Sequence, residues 1–129
     1  MTVNGDPAQL APIARKQGIA GVHVPAAILG TMTSRPDVGL FGASCHDARE
    51  IERAESLGAD YVFLSPVRPT NSHPAAAPMG WQKFTSLAAS SSMPVFALGG
   101  MSMDDLNTAW HAGAQGIAAI TAFWRPSVI

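Results

Sequence analysis

The chain has 129 residues, 47% hydrophobic and 13% charged, with a formal net charge of -1, the make-up of one packed domain over residues 1–129. Its Lys and Arg residues are scattered singly, which excludes the basic stripe of a nucleic-acid binder, and no run reaches the roughly 18 to 20 apolar residues that span a bilayer. The first residues carry neither a basic n-region nor an apolar h-region, so the sequence predicts a soluble, cytoplasmic protein with no nucleic-acid or membrane partner. Cys45 is the only cysteine; it cannot form an intrachain disulfide or a thiolate zinc cluster, and is expected to pack as a small apolar residue.

In chain order, a short strand is predicted at about 2–4, followed by a helix over 7–17 that Pro12 weakens and Gly18 ends. A strand at about 21–24 leads into 25–39, a polar, proline-broken stretch predicted to be mostly loop. After a strand at 40–44, Asp47 with Glu50 three residues on resembles a capping box. Ala48, Ile51 and Ala54 then recur at helical spacing until Gly58. Next come a strand at 61–64, a helix over 80–89, a loop at 90–94 and a strand at 95–98. Ser102 with Asp105 repeats the capping arrangement ahead of Leu106, Ala109 and Trp110, and a last strand is placed at 116–121.

One junction recurs three times: a helix ends at Gly18, Gly58 or Gly113, and a short apolar run starts two or three residues later. A glycine supplies the left-handed helix C-cap, and the apolar run fits a parallel-sheet strand buried on both faces. Tandem βα units follow, as either a doubly wound open sheet or a (β/α)8 barrel. An open sheet concentrates its chemistry at one switch point, whereas a barrel draws it from many strand ends. Here polar or glycine-rich sequence follows nearly every strand, which favours the barrel. A full barrel needs roughly 200 residues or more. The predicted fold is therefore an incomplete TIM-type α/β barrel of about six strands, lacking the first two. Its open edges call for a homodimer or other oligomer to cover them.

His23 and Ser44-Cys45-His46 end two successive strands. Two imidazoles facing one cavity from the same rim would suit proton transfer, although each could equally cap a helix or satisfy a backbone carbonyl. The loop from Ser65 to His73 follows a third strand. Arg68 offers a guanidinium fork and Thr70 and Ser72 hydroxyl donors, and His73 can add charge, so the loop is read as an anion site; the alternative is a rigid proline turn. Gly99-Gly100 ends the next strand and Ile120-Thr121 the last, where barrels often hold phosphate. No dinucleotide fingerprint, Walker loop or His-Glu-x-x-His motif is present. Trp81, Trp110 and Trp124, with Phe84 and Phe123, read as core and helix-to-barrel packing.

These segments resemble the thiamine phosphate synthase and TenI superfamily of (β/α)8 barrels. The match runs in order through Val3-Asn4-Gly5-Asp6, Gly21-Val22-His23-Val24, Gly42-Ala43-Ser44-Cys45-His46, Gly58-Ala59-Asp60-Tyr61, Ser65-Pro66-Val67 with Pro69-Thr70, Pro94-Val95-Phe96-Ala97-Leu98-Gly99-Gly100 and Gly113-Ala114-Gln115-Gly116-Ile117-Ala118. The wording Ala43-Ser44-Cys45-His46, Leu64-Ser65-Pro66-Val67, Ser72-His73-Pro74 and Gly80-Trp81 is most similar to the TenI-like domain fused behind a Nudix hydrolase. Relative to that domain the chain begins at the third strand.

The resemblance implies that Thr70 and Ser72 match pyrophosphate-holding hydroxyls, that His73 replaces a pyrophosphate-binding lysine, and that Gly99, Gly100, Ile120 and Thr121 cradle a thiazole phosphate. His23, Ser44, Ser65 and Arg68 join the binding set. Asp6 resembles the first magnesium-binding aspartate of the synthases, while Pro25, Ala26, Ala27 and Ile28 occupy the stretch where the second is expected. His46 falls where TenI-type tautomerases place their proton-transferring histidine. The implied function is thus a TenI-like thiazole phosphate binder, with tautomerase activity through His46, needing no cofactor. The alternatives are a thiamine phosphate synthase, which would require Mg²⁺, and a non-catalytic ligand-binding domain or remnant of a Nudix-TenI fusion. In each case the partner is a small phosphorylated thiazole or pyrimidine.

Overall fold

The structure is a computed structural model of the chain, and it describes residues 1–71 and 73–119. Six parallel strands form one sheet in sequence order: β1 (Thr2–Asn4), β2 (Gly21–Val24), β3 (Leu40–Cys45), β4 (Tyr61–Leu64), β5 (Val95–Leu98) and β6 (Gly116–Ala118). Between them run α1 (Pro7–Gln17), α2 (Ala26–Leu29), α3 (Ala48–Ser56), α4 (Gly80–Ser90) and, after a 3-10 turn at Met103–Asp105, α5 (Leu106–His111). Neighbours in sequence are neighbours in the sheet, the order of a barrel wall rather than of a doubly wound sheet, which reverses at a switch point. The sheet curls into a half-barrel, an incomplete TIM-barrel type. Among the described residues, β1 and β6 each pair on one side only.

Register sorts the side chains into two faces, because successive residues of a strand point to opposite sides. Val24, Ala43, Val62 and Val95 stand in one row, and Cys45, Leu64, Ala97 and Ile117 in another. All but Ile117 are buried, and they form the core with Ala14 of α1, Ile51 and Ala54 of α3, Phe84 of α4 and Ala109 of α5. The other face carries Asn4, His23, Gly42 and Tyr61 in one row and Ser44, Phe63, Phe96 and Gly116 in the next. This face is only partly covered, so β4 and β5 alternate between buried and half-buried positions instead of being buried on both sides as the sequence suggested. The expectation took each apolar run as a sandwiched strand; in a half-barrel only the outer face lies beneath helices.

The strand expectations hold to within a residue at five of the six strands. At the sixth, regular pairing stops at Ala118, and Ile120 and Thr121 lie outside the described residues. α1 runs through Pro12, which does not break it. Asp6 caps its start by accepting from the Ala8 amide, left-handed Gly18 ends it, and Ala11 and Ala14 are buried. The stretch 25–39 is loop apart from the single turn of α2. Cys45 is fully buried as expected, and its thiol is pushed up to about 12 by burial and by the nearby Glu50 and Asp47 carboxylates. Phe84 is a core residue and Trp81 packs against the core, but Trp110 is 54% exposed, with its indole N–H donating to the Gln115 carbonyl. Trp124 and Phe123 lie outside the described residues.

Candidate functional site

At the C-terminal rim of the sheet lies a cavity of about 620 Å³ to which every strand end contributes. β1 supplies Asn4, the segment after β2 Pro25 and Ala26, and β3 Ser44 and His46. The β4 loop supplies Ser65, Pro66, Thr70 and His73, β5 Leu98 with Gly99, Gly100 and Met101, and β6 Ala119. Of the residues singled out from sequence, the structure thus gathers His46, Ser44, Ser65, Thr70, His73, Gly99 and Gly100 around one space. Ser72, Ile120 and Thr121 lie outside the described residues.

His46 is half-exposed on this rim and is held by Glu50. The carboxylate accepts from the His46 backbone N–H at 2.6 Å and meets its ring Nδ1 at 3.0 Å. Asp47 caps α3 by accepting from the Glu50 amide at 2.9 Å, so the expected capping box is only half made. Glu50 reaches past the cap residue to His46, leaving Nε2 as the ring nitrogen available to a ligand. A carboxylate on one imidazole nitrogen fixes the tautomer and supports proton transfer at the other. Sequence reasoning assigned Glu50 to the cap alone; His46 lies just before the N-cap Asp47, and the available signal was a carboxylate in the first helical turn within reach of that residue.

His23 departs from the expectation. It does not share the rim cavity with His46 but stands inside the half-barrel, 6% exposed, against Tyr61 and Phe63. Its Nδ1 lies 3.1 Å from the Tyr61 hydroxyl and its Nε2 2.8 Å from Ser44 Oγ. Burial lowers its pKa to about 4, so the ring is neutral under ordinary conditions. The physical reason is register: an imidazole one residue short of the strand end points into the barrel, whereas His46, past the end of β3, reaches the rim.

Arg68 also departs. Its guanidinium binds the buried Asp105 carboxylate at 2.8 Å and it does not line the cavity, so it fastens the β4 loop to the 3-10 turn instead of offering a free fork. Asp105 at the same time accepts from the Ser102 amide at 2.9 Å, the reciprocal box expected there. Gly99 and Gly100, with φ of +100° and +67°, pack beneath that loop. A Cβ on Gly99 would lie 2.7 Å from Pro66 Cα, and one on Gly100 2.6 Å from the Pro69 carbonyl oxygen. Close loop packing, besides any approach to phosphate, therefore requires both glycines.

Asp6, the N-cap of α1, lines a separate groove of about 490 Å³ between α1 and residues 31–37. Among the described residues no carboxylate lines the rim cavity, and no group of three His, Cys, Asp or Glu side chains is placed to hold a metal. Mg²⁺ takes hard oxygen donors, carboxylates foremost. The lining offers neutral hydroxyls, one amide and imidazoles, so the residues present do not fit that ion.

Fold and rim together define an incomplete (β/α)8 barrel with a cavity at the C-terminal rim of its sheet. The thiamine monophosphate synthase family model matches residues 5–123, and the chain belongs to that family. It is similar to the thiamine-phosphate synthase of Lactococcus lactis subsp. cremoris (strain MG1363), 31% identical over 113 residues that cover 84% of this chain and 52% of the relative. It is also similar to the thiamine-phosphate synthase of Chloroflexus aurantiacus, 34% identical over 105 residues, 79% of this chain and 49% of the relative. Among solved structures, thiamine phosphate pyrophosphorylase from Pyrococcus furiosus superposes with a TM-score of 0.69 at 25% identity, covering 92% of this chain and 55% of that one. The chain spans about half the length of these relatives. Among the described residues no helix is long and apolar enough to cross a membrane.

Proposed function

We propose that the rim cavity is a thiazole phosphate site of thiamine biosynthesis. The observation that carries this reading is that the glycine turn after β5 and the Glu50-held His46 open on the same space. The phosphate is gripped at Gly99-Gly100 with hydroxyls from Ser44, Ser65 and Thr70, and the thiazole ring faces His46. Ser72, Ile120 and Thr121 belong to the same reading. Glu50 keeps the His46 ring oriented while Nε2 takes a proton from one ring position and returns it to another, a tautomerisation that needs no metal.

The second reading is the joining of a pyrimidine pyrophosphate to the thiazole phosphate, and the names of the relatives favour it over tautomerisation. It uses the same thiazole phosphate grip, with His73 meeting the pyrophosphate, but it calls for a cation that the carboxylate-free lining does not suit. A non-catalytic binding domain is the third reading. Calorimetric titration with hydroxyethylthiazole phosphate should show binding that is weakened in Gly100→Ala; absence of binding rejects all three. Product formation from both substrates with Mg²⁺ selects the synthase. Isomerisation of a thiazole phosphate carboxylate, abolished in His46→Asn with binding retained, selects the tautomerase. An oligomer covering the open sheet edges is part of the proposal.

A further inference from the structure

Beneath the rim a chain of three polar side chains runs along the inner face of the half-barrel from β4 to the cavity. It begins at the Tyr61 phenol on β4. The phenol meets Nδ1 of His23 on β2 at 3.1 Å, and Nε2 of His23 meets Ser44 Oγ on β3 at 2.8 Å. Ser44 is the one member that lines the rim cavity. The reach from β4 to β2 depends on an absent side chain. Gly42 stands between Tyr61 and His23 in the register, and a Cβ there would fall 2.1 Å from the Tyr61 ring. The phenol therefore lies flat across β3 to touch the imidazole.

We propose that Tyr61 and His23 are positioning residues that fix the Ser44 hydroxyl as a hydrogen-bond donor into the cavity. A phenol is a stronger proton donor than an aliphatic hydroxyl, so of the two hydroxyls on the imidazole it is the Tyr61 O–H that donates, to His23 Nδ1. His23 then carries its own proton on Nε2 and donates it to Ser44 Oγ. With its acceptor side occupied, the Ser44 O–H is left to donate to an oxygen of the bound ligand, as a phosphate requires. The opposite arrangement, with the imidazole proton on Nδ1, would turn Ser44 towards His23 and present lone pairs to the anion. Burial holds the Tyr61 phenol protonated, above its ordinary range, and keeps His23 neutral, so neither of the two ionises under ordinary conditions. The tilted packing of His23 on Phe63, ring centroids 4.6 Å apart, opposes any swing of the imidazole.

The donor step rests on the cavity being a phosphate-ligand site; the relay itself does not, and it is read without ligand. In ¹⁵N-labelled protein at neutral pH, His23 should show a protonated Nε2 and an unprotonated, hydrogen-bonded Nδ1. Tyr61→Phe, which keeps the ring and removes only the hydroxyl, should shift the Nδ1 resonance and mix the tautomers. A wild-type proton on Nδ1, or His23 resonances unmoved in Tyr61→Phe, overturns the relay. For the donor step the probe is inorganic pyrophosphate. Its Kd should rise roughly three- to tenfold in Ser44→Ala and by a lesser factor in Tyr61→Phe, with no further loss when the two are combined. Independent, multiplying losses would show that Tyr61 acts on folding and not through Ser44. Failure of the wild type to bind pyrophosphate rejects the donor step and the phosphate reading together, while the tautomer still decides the relay.

Discussion

His23 is the residue at which environment departs most from residue type. Its folded pKa is lowered from 6.5 to about 4 by burial. As pH falls through 6.5 the unfolded chain binds a proton on this ring, whereas the folded ring stays neutral until about 4. Its contribution to stability is therefore intact above 6.5 and is lost across the window down to 4, by roughly 3 kcal/mol at most. Urea unfolding at a series of pH values across that window should give a shallower fall for His23→Gln than for the wild type; equal slopes would show that the ring is solvated. Cys45 makes the complementary case. With its thiol pushed up to about 12 and no exposed surface, it should not react with a disulfide reagent at pH near 8 until the protein is unfolded. Prompt labelling of the native protein would contradict the burial.

Elements here are set by their ends. Asp47→Ala removes the acceptor at the start of α3 and should cost about 1 kcal/mol in chemical unfolding. A cost near zero would mean that Glu50 and its grip on His46 hold the helix start unaided. Gly80 and Gly100 give a controlled comparison, since both have φ near +70° but only Gly100 has a neighbour against its missing Cβ. Gly80→Ala should cost roughly 1 to 2 kcal/mol from backbone conformation alone, and Gly100→Ala more, because the Pro69 carbonyl must also move. Equal costs would mean that the loop yields freely. The elements themselves were legible in the sequence because each signal was local: Asp6 and Gly18 bracketing α1, Ser102 with Asp105, the apolar runs after Gly58 and Gly113. The roles of His23 and Arg68 were not. Whether a strand residue faces the barrel or the rim depends on register, and whether an arginine is free depends on a carboxylate far away in sequence, here Asp105. The role of Tyr61 was hidden for the same reason, because its partner His23 lies on β2.

For the whole molecule the open question of chemistry is a question of edges. β1 and β6 each present an unpaired side among the described residues, and such edges recruit further strands. The 129-residue chain should sediment as a dimer or larger assembly at micromolar concentration; a monomer throughout would show that the edges are protected within the chain. The two faces of the sheet carry a consequence for how such a protein can change. Along β4, Val62 and Leu64 point to the helices, while Tyr61 and Phe63 point to the interior of the half-barrel. The outer core and the interior beneath the cavity are thus inscribed on alternate letters of the same strand. Substitutions at the inward positions can reshape the interior while the outer core stays intact, and a shift of a single residue along the strand would exchange the two demands and satisfy neither.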